Sequence, residues 1–162
     1  MIRTLGGMVG AAKRADELVG AYEKNIERNA AQAASRFRRP KVYFEEWDNP
    51  QISGIRWVSE LITIAGGDDI FPELAVCPDG KSRIIGDPDE VVRRAPDIII
   101  GSWCGKKFRP EKVAARQGWD AIPAVQNGDI YEIKSAEILQ PGPAALTDGL
   151  EQLQEIITAW TV

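Results

Sequence analysis

The sequence predicts an α/β fold, a three-layer sandwich with a mostly parallel central sheet, preceded by a long N-terminal helix. Three observations predict it. Asp97-Ile98-Ile99-Ile100-Gly101 is a short continuous apolar run between turn signals, the pattern of a strand buried on both faces. Val42-Tyr43-Phe44 is a second run, of the β-branched and aromatic kind that favours strands. Helix-periodic segments alternate with these runs, the order that builds a parallel sheet with helices on both sides.

Residues 8 to about 37 read as one helix, because Met8, Ala12, Ala15, Leu18, Val19, Tyr22, Ile26, Ala30, Ala33 and Phe37 recur at three- and four-residue steps. Pro40 ends it, since proline disfavours helix at the preceding residue. Lys41–Gly67 is the stretch that organises the rest. It opens as a strand at Val42, breaks into a polar loop at Glu45–Pro50, and becomes helix-periodic from Gly54 with Ile55, Val58, Leu61, Ile62 and Ala65 on one face. Gly66-Gly67 caps that helix, because glycine accepts the left-handed conformation a C-terminal cap requires.

Asp68–Lys81 reads as a loop-rich connection and Ser82–Ile85 as a short strand. Asp87-Pro88-Asp89-Glu90 carries agreeing helix-start signals: Asp87 as N-cap, Pro88 in the first helical position, and Glu90 where a capping box closes. After the apolar strand at 97–101 comes a second loop, Ser102–Phe108, then a short helix over Pro110–Arg116. Ala124-Val125 and Ile130–Ile133 flank Asn127-Gly128, a hairpin signal. Gln140-Pro141-Gly142-Pro143, within Ser135–Pro143, is expected to be irregular, and Ala144–Trp160 to be the last helix, with Leu146, Leu150, Leu153, Ile156, Ile157 and Trp160 inward.

Composition narrows the function. The 162 residues carry 44% hydrophobic and 27% charged side chains, suited to one ordinary globular core. A net charge of −4 argues against non-specific nucleic-acid binding, which needs a basic field. There is no histidine, which removes the commonest metal ligand and the commonest general base. Two cysteines, Cys77 and Cys104, make neither a disulfide framework nor a zinc site. Trp103-Cys104-Gly105-Lys106 echoes a redox motif, but Lys107 stands where its second cysteine belongs. No catalytic and no metal-ligating set emerges.

A binding surface remains. Trp47, Trp103 and Phe108 fall in loops after strands, with Pro50 and Ile52 nearby. If both strands run in the same direction, those loops share one edge of the sheet and frame a pocket for a large, flat or apolar ligand.

The blocks YFEEWDNPQISGIRWVSELITIAGGDDIF (43–71), DPDEVVRRAPDIIIGSW (87–103) and PAVQNGDIYEI with ILQPGPAALTDGLEQL resemble the second, C-terminal lobe of class III substrate-binding proteins of ABC importers. Within that class the resemblance is to the cobalamin (vitamin B12) binding members. It implies that residues 1–39 are the rigid helix joining two lobes and that 40–162 are the C-terminal lobe, the first lobe not being in this chain. It implies Glu46, Trp47, Asp48, Pro50, Ile52, Trp103, Cys104 and Phe108 as ligand-binding residues, and Asp89 and Glu90 as the carboxylates presented to the permease. Cobalamin would be transported cargo, no cofactor would be held, and the location would be periplasmic or extracytoplasmic, although the chain as given has no signal peptide. A bare joining helix and an uncovered cleft lead to an expected homo-oligomer, with helix 8–37 exchanged between chains. The alternative on the same scaffold is a ferric siderophore or haem binder. From other classes, the alternatives are a truncated interaction module and a Cys104-dependent enzyme.

Overall fold

A computed structural model describes residues 1–161 of the chain. Helix α1 spans Ile2–Met8 and α2 spans Ala12–Ala34. The sheet strands are β1 (Lys41–Asp48), β2 (Gln51–Ser53), β3 (Asp68–Asp69), β4 (Ile98–Gly101) and β5 (Ile130–Glu132). Between and after them lie α3 (Arg56–Ala65), α4 (Pro72–Ala75), α5 (Asp89–Arg94), α6 (Pro110–Ala114), α7 (Pro123–Asn127), α8 (Ser135–Ile138) and α9 (Leu150–Ala159).

The mostly parallel sheet is as expected. β1 pairs in parallel with β4, β4 with β5, and β1 with β3 on its other side; β2 alone is antiparallel, folded back on β1. Alternation along the strands splits the core in two. Val42, Phe44, Ile98 and Ile100 face α3 and α9, while Tyr43 and Ile99 face the layer that holds Phe71, Val91, Val113 and Ile122. All ten of these strand and helix anchors are at most 2% exposed, so the sheet centre is dry.

Several local expectations are corrected. The expected helix over 8–37 is broken at Val9–Ala11, where Gly10 has φ 72°, and its last turn ends at Ala34. Phe37 therefore leaves the apolar face and is 99% exposed. α2 packs on the rest of this chain: Ile26 lies against the core, Asn25 donates to the Leu146 carbonyl, and the Arg36 guanidinium donates to the Ile157 carbonyl. The expected loop Glu45–Pro50 is instead the end of β1 and a hairpin turn, with Trp47 opposite Ile52 and Asp48 opposite Gln51. Ser82–Ile85 is a 3₁₀ turn over Lys81–Arg83, and only Ile84 bridges to Ile52.

Asn127-Gly128 does not turn a hairpin. Pro123 opens a short helix there, Gly128 (φ 79°) closes it in the left-handed conformation, and the next strand is parallel. The capping box also fails. The Asp87 carboxylate does accept from the Asp89 amide, but Glu90 turns outward to Arg93 and Arg94. Ser135–Ile138 forms a turn of helix ahead of the irregular Gln140–Gly142, and a wide π-turn over Ala145–Gly149 precedes α9. Both thiols are free.

Asp69 gives a pH signature. Burial pushes its carboxyl above the ordinary value, although its Oδ1 accepts from the Phe71 amide at 3.0 Å. A carboxyl whose folded pKa is raised favours folding below its unfolded pKa, and that contribution is lost as pH rises through the folded value. Asp69→Asn keeps the acceptor and removes the charge. It should raise the melting temperature at pH 7 and leave it unchanged near pH 3; a fall at pH 7 would show that the charge stabilises the fold.

Candidate functional site

Glu45 of β1 lies opposite Gly101 of β4 in a parallel pair, so both strands deliver their following loops to the same sheet edge. One loop is the β1–β2 hairpin tip, which contains the cis peptide Asn49–Pro50; the other is Ser102–Arg109. Lys106 joins them. Its ammonium pairs with Asp48 at 2.5 Å and lies 5.4 Å from the Trp47 ring centre and 5.0 Å from that of Trp103.

Beside this junction runs an open groove of about 860 Å³. Its walls are the hairpin tip Asp48–Gln51, the segment Ile84–Gly86 with Pro88 and Asp89, and the turn Arg116–Trp119. Beneath it sits a fully buried carboxylate, Glu45. It accepts from the Tyr43 hydroxyl (2.9 Å), the Trp103 indole N–H (3.0 Å) and both Arg116 nitrogens (2.6 and 2.8 Å). Burial, and then the Glu45 charge, hold the Tyr43 phenol well above its ordinary pKa, so it stays a donor. The Arg116 guanidinium also stacks 4.5 Å over Trp119, which fixes the groove's far wall.

Glu45 and Glu46 are adjacent but serve different partners. The pairing register shifts between Glu45 and Trp47, a bulge that sends Glu46 to the buried Arg83, which also donates to the Ser53 carbonyl at 2.6 Å. Arg83 thereby anchors the 3₁₀ turn that leads into the Ile84–Gly86 wall.

The expected ligand-binding residues separate into three groups. Asp48 and Pro50 line the groove. Trp47 is half-buried, its N–H donating to the Asn49 carbonyl, with Ile52 across the hairpin and Cys104 exposed on the neighbouring loop. Glu46, Trp103 and Phe108 do not face the groove: Glu46 is held by Arg83, while Trp103 and Phe108 are 4% and 2% exposed and pack edge to face. These two aromatics are the floor beneath the loop, because Trp103 reaches inward to satisfy Glu45. Asp89 lies on the groove rim, whereas Glu90 is ion-paired with Arg93 and Arg94. Among the described residues, no group of three or more metal-ligating side chains could hold a metal ion, and no helix is long and apolar enough to cross a membrane.

Residues 1–137 match the periplasmic binding protein family. The chain belongs to it. A relative, the uncharacterized ABC transporter substrate-binding lipoprotein YvrC of Bacillus subtilis, is 23% identical over 96% of this chain and 48% of its own length. Among solved structures, Staphylococcus aureus IsdE complexed with heme superposes with a TM-score of 0.78, at 20% identity over 96% of this chain and 62% of its own. The periplasmic vitamin B12 binding protein BtuF of Vibrio cholerae superposes with a TM-score of 0.65, at 19% identity over 92% of this chain and 54% of its own. The chain therefore spans about half the length of the curated relative it matches. The family and the Bacillus subtilis relative are binding proteins rather than enzymes.

Sequence reasoning missed the Ile84–Gly86 wall and Arg116–Trp119. Arg116 reads only as a cation ending a short helix, and Trp119 as one more tryptophan. Their place in the site depends on a pairing with Glu45 across 71 positions of sequence.

Proposed function

We propose that this chain is the C-terminal lobe of a solute-binding protein for ABC-type import, acting outside the cytoplasm, and that its cargo is cobalamin or a related corrinoid. Residues 1–39 carry the helix that joins this lobe to a partner lobe, and residues 40–162 form the lobe itself. The observation that carries the reading is the groove beside the β1–β2 hairpin tip at the carboxyl end of β1, a tip that Lys106, from the loop after β4, holds through Asp48 and Trp47. Its volume, about 860 Å³, falls in the range of small-molecule sites. The solute lies along Asp48–Gln51, with Trp47 and Cys104 at its margin. Haem or a ferric siderophore on the same scaffold is the second reading, supported by the haem-bound fold neighbour. The permease reads Asp89, because Glu90 is neutralised by two arginines. Self-association, if the lobe is studied alone, uses the exposed Leu5 and Met8 of α1 and Val9 just after it.

Calorimetric titration with cyanocobalamin, haemin and ferrichrome tests the cargo, with light scattering on the same samples for association. Cyanocobalamin should bind, weakly for want of a second wall. Gly86→Trp, which points a ring into open space in the groove, should abolish that binding without loss of fold. Binding of haemin alone would move the assignment to the second reading, and binding indifferent to Gly86→Trp would remove the groove from the proposal.

A further inference from the structure

Gln51 is 8% exposed and lines the groove, so a polar side chain that is nearly buried ends at the site. The two ends of its amide differ. Oε1 is sealed inside the wall with no hydrogen-bond partner among the described residues, whereas Nε2 is not sealed and is the end that reaches the groove. The backbone beneath it is fixed: Gln51 stands opposite Asp48 in the β1–β2 pair, and its carbonyl accepts from the Ile85 amide at 2.9 Å. The nearby cations are committed within the fold. Arg116 gives two nitrogens to Glu45, at 2.6 and 2.8 Å, and Lys106 pairs with Asp48 at 2.5 Å. An amide nitrogen carries two N–H donors, and a nearly buried polar group that the fold leaves unmatched calls for a partner from outside.

We infer that Gln51 is a specificity-determining residue of the groove, and that its Nε2 donates to an oxygen acceptor, a carbonyl or a carboxylate, on the margin of the bound solute. This rests on the groove being the solute site and deepens that reading by naming the chemical group recognised at the hairpin wall. A binding site fixes its ligand's orientation through a few placed polar groups. A donor held by the fold discriminates against any solute that brings an apolar edge to it, because the N–H then loses water and gains nothing. Two substitutions separate the chemistry from the shape. Gln51→Leu keeps most of the bulk and removes the donor, and Gln51→Glu puts a carboxylate, which only accepts, in the donor's place.

The probes are cyanocobalamin, which carries amide carbonyls on its ring margin, and haemin, which carries two propionate carboxylates. Calorimetric titration of both into wild type, Gln51→Leu and Gln51→Glu at neutral pH reads the contact. Whichever probe the wild type binds should be held about tenfold more weakly by Gln51→Leu, the scale of one lost hydrogen bond, and more weakly still by Gln51→Glu. A loss confined to cyanocobalamin identifies a carbonyl as the acceptor, and a loss confined to haemin identifies a carboxylate. The melting temperature of Gln51→Leu should hold or rise, because a sealed, unpartnered oxygen goes with the amide. Wild-type affinity in Gln51→Leu overturns the inference, as does tighter binding by Gln51→Glu than by Gln51→Leu, which would make the solute the donor. A Gln51→Leu protein that melts lower as it loses affinity also overturns it, since a damaged hairpin then accounts for both. Gly86→Trp separates the two levels. If the wild type binds neither probe, or Gly86→Trp leaves binding intact, the groove reading fails and the inference with it; if Gly86→Trp abolishes binding while Gln51→Leu matches the wild type, only the donor assignment fails.

Discussion

Glu45→Ala should cost about 3–5 kcal/mol of folding stability, measured by urea denaturation, the range for breaking one half of a buried ion pair. The carboxylate is wholly buried and accepts four hydrogen bonds, two of them from Arg116. Deleting it strands the Tyr43 hydroxyl and the Trp103 indole N–H in a dry layer and leaves Arg116 with no counter-charge. Arg116→Ala should cost about as much, because it abandons a carboxylate with no exposure at all. The double variant should lose less than the sum of the two, since each single change already removes the shared bonds. Glu45→Gln keeps the shape and one good acceptor and should fall between wild type and alanine. The functional consequence follows from Arg116's second position, over Trp119 in the groove wall. Loss of Glu45 frees that guanidinium and should lower affinity for whatever the groove holds. A Glu45→Ala protein within about 1 kcal/mol of wild type would mean that the network is dispensable.

What could be read from the sequence, and what could not, divides by the range of the interaction. β4 was legible because Ile98-Ile99-Ile100 needs no partner to announce burial, and the parallel sheet followed from alternation of runs. The Gly66 cap was legible because its left-handed φ of 99° closes the last turn of its own helix, with capping amides on the Ile62 and Thr63 carbonyls. Asn127-Gly128 misled for the same local reason: the left-handed glycine that ends a helix and the one that turns a hairpin look alike until Pro123 is weighed with them. The polar run Glu45–Asp48 read as a loop because charged side chains rarely enter a buried strand. Here Arg116, Arg83 and Lys106 arrive from distant segments to neutralise Glu45, Glu46 and Asp48 in turn. The position of Trp103 had the same hidden cause. Its place after a core strand was apparent, but whether the indole faced ligand or core depended on an acceptor on another strand.

The close approach of β4 to its following loop leads to the second large effect. Gly101→Ala should cost about 3 kcal/mol, the upper part of the range for overpacking a filled core. A methyl at Gly101 would lie 1.8, 2.1 and 2.5 Å from three ring atoms of Phe108, which no van der Waals contact allows. The ring has no exit, being 2% exposed and wedged at 4.9 Å against Trp103. The strand is fixed by pairing on both sides, through Glu45 and Glu132. The loop Ser102–Arg109 must therefore lift, carrying Lys106 away from Asp48 and from both indole faces. Tryptophan fluorescence should shift with the loss of stability, and ligand affinity should fall with it. Phe108→Ala should be costly by itself, about 3–5 kcal/mol, yet it should make the added Gly101→Ala nearly neutral, because the obstruction is gone. Gly101→Ala that is tolerated in the wild-type background, with unchanged fluorescence, would show that the loop and the groove floor move independently.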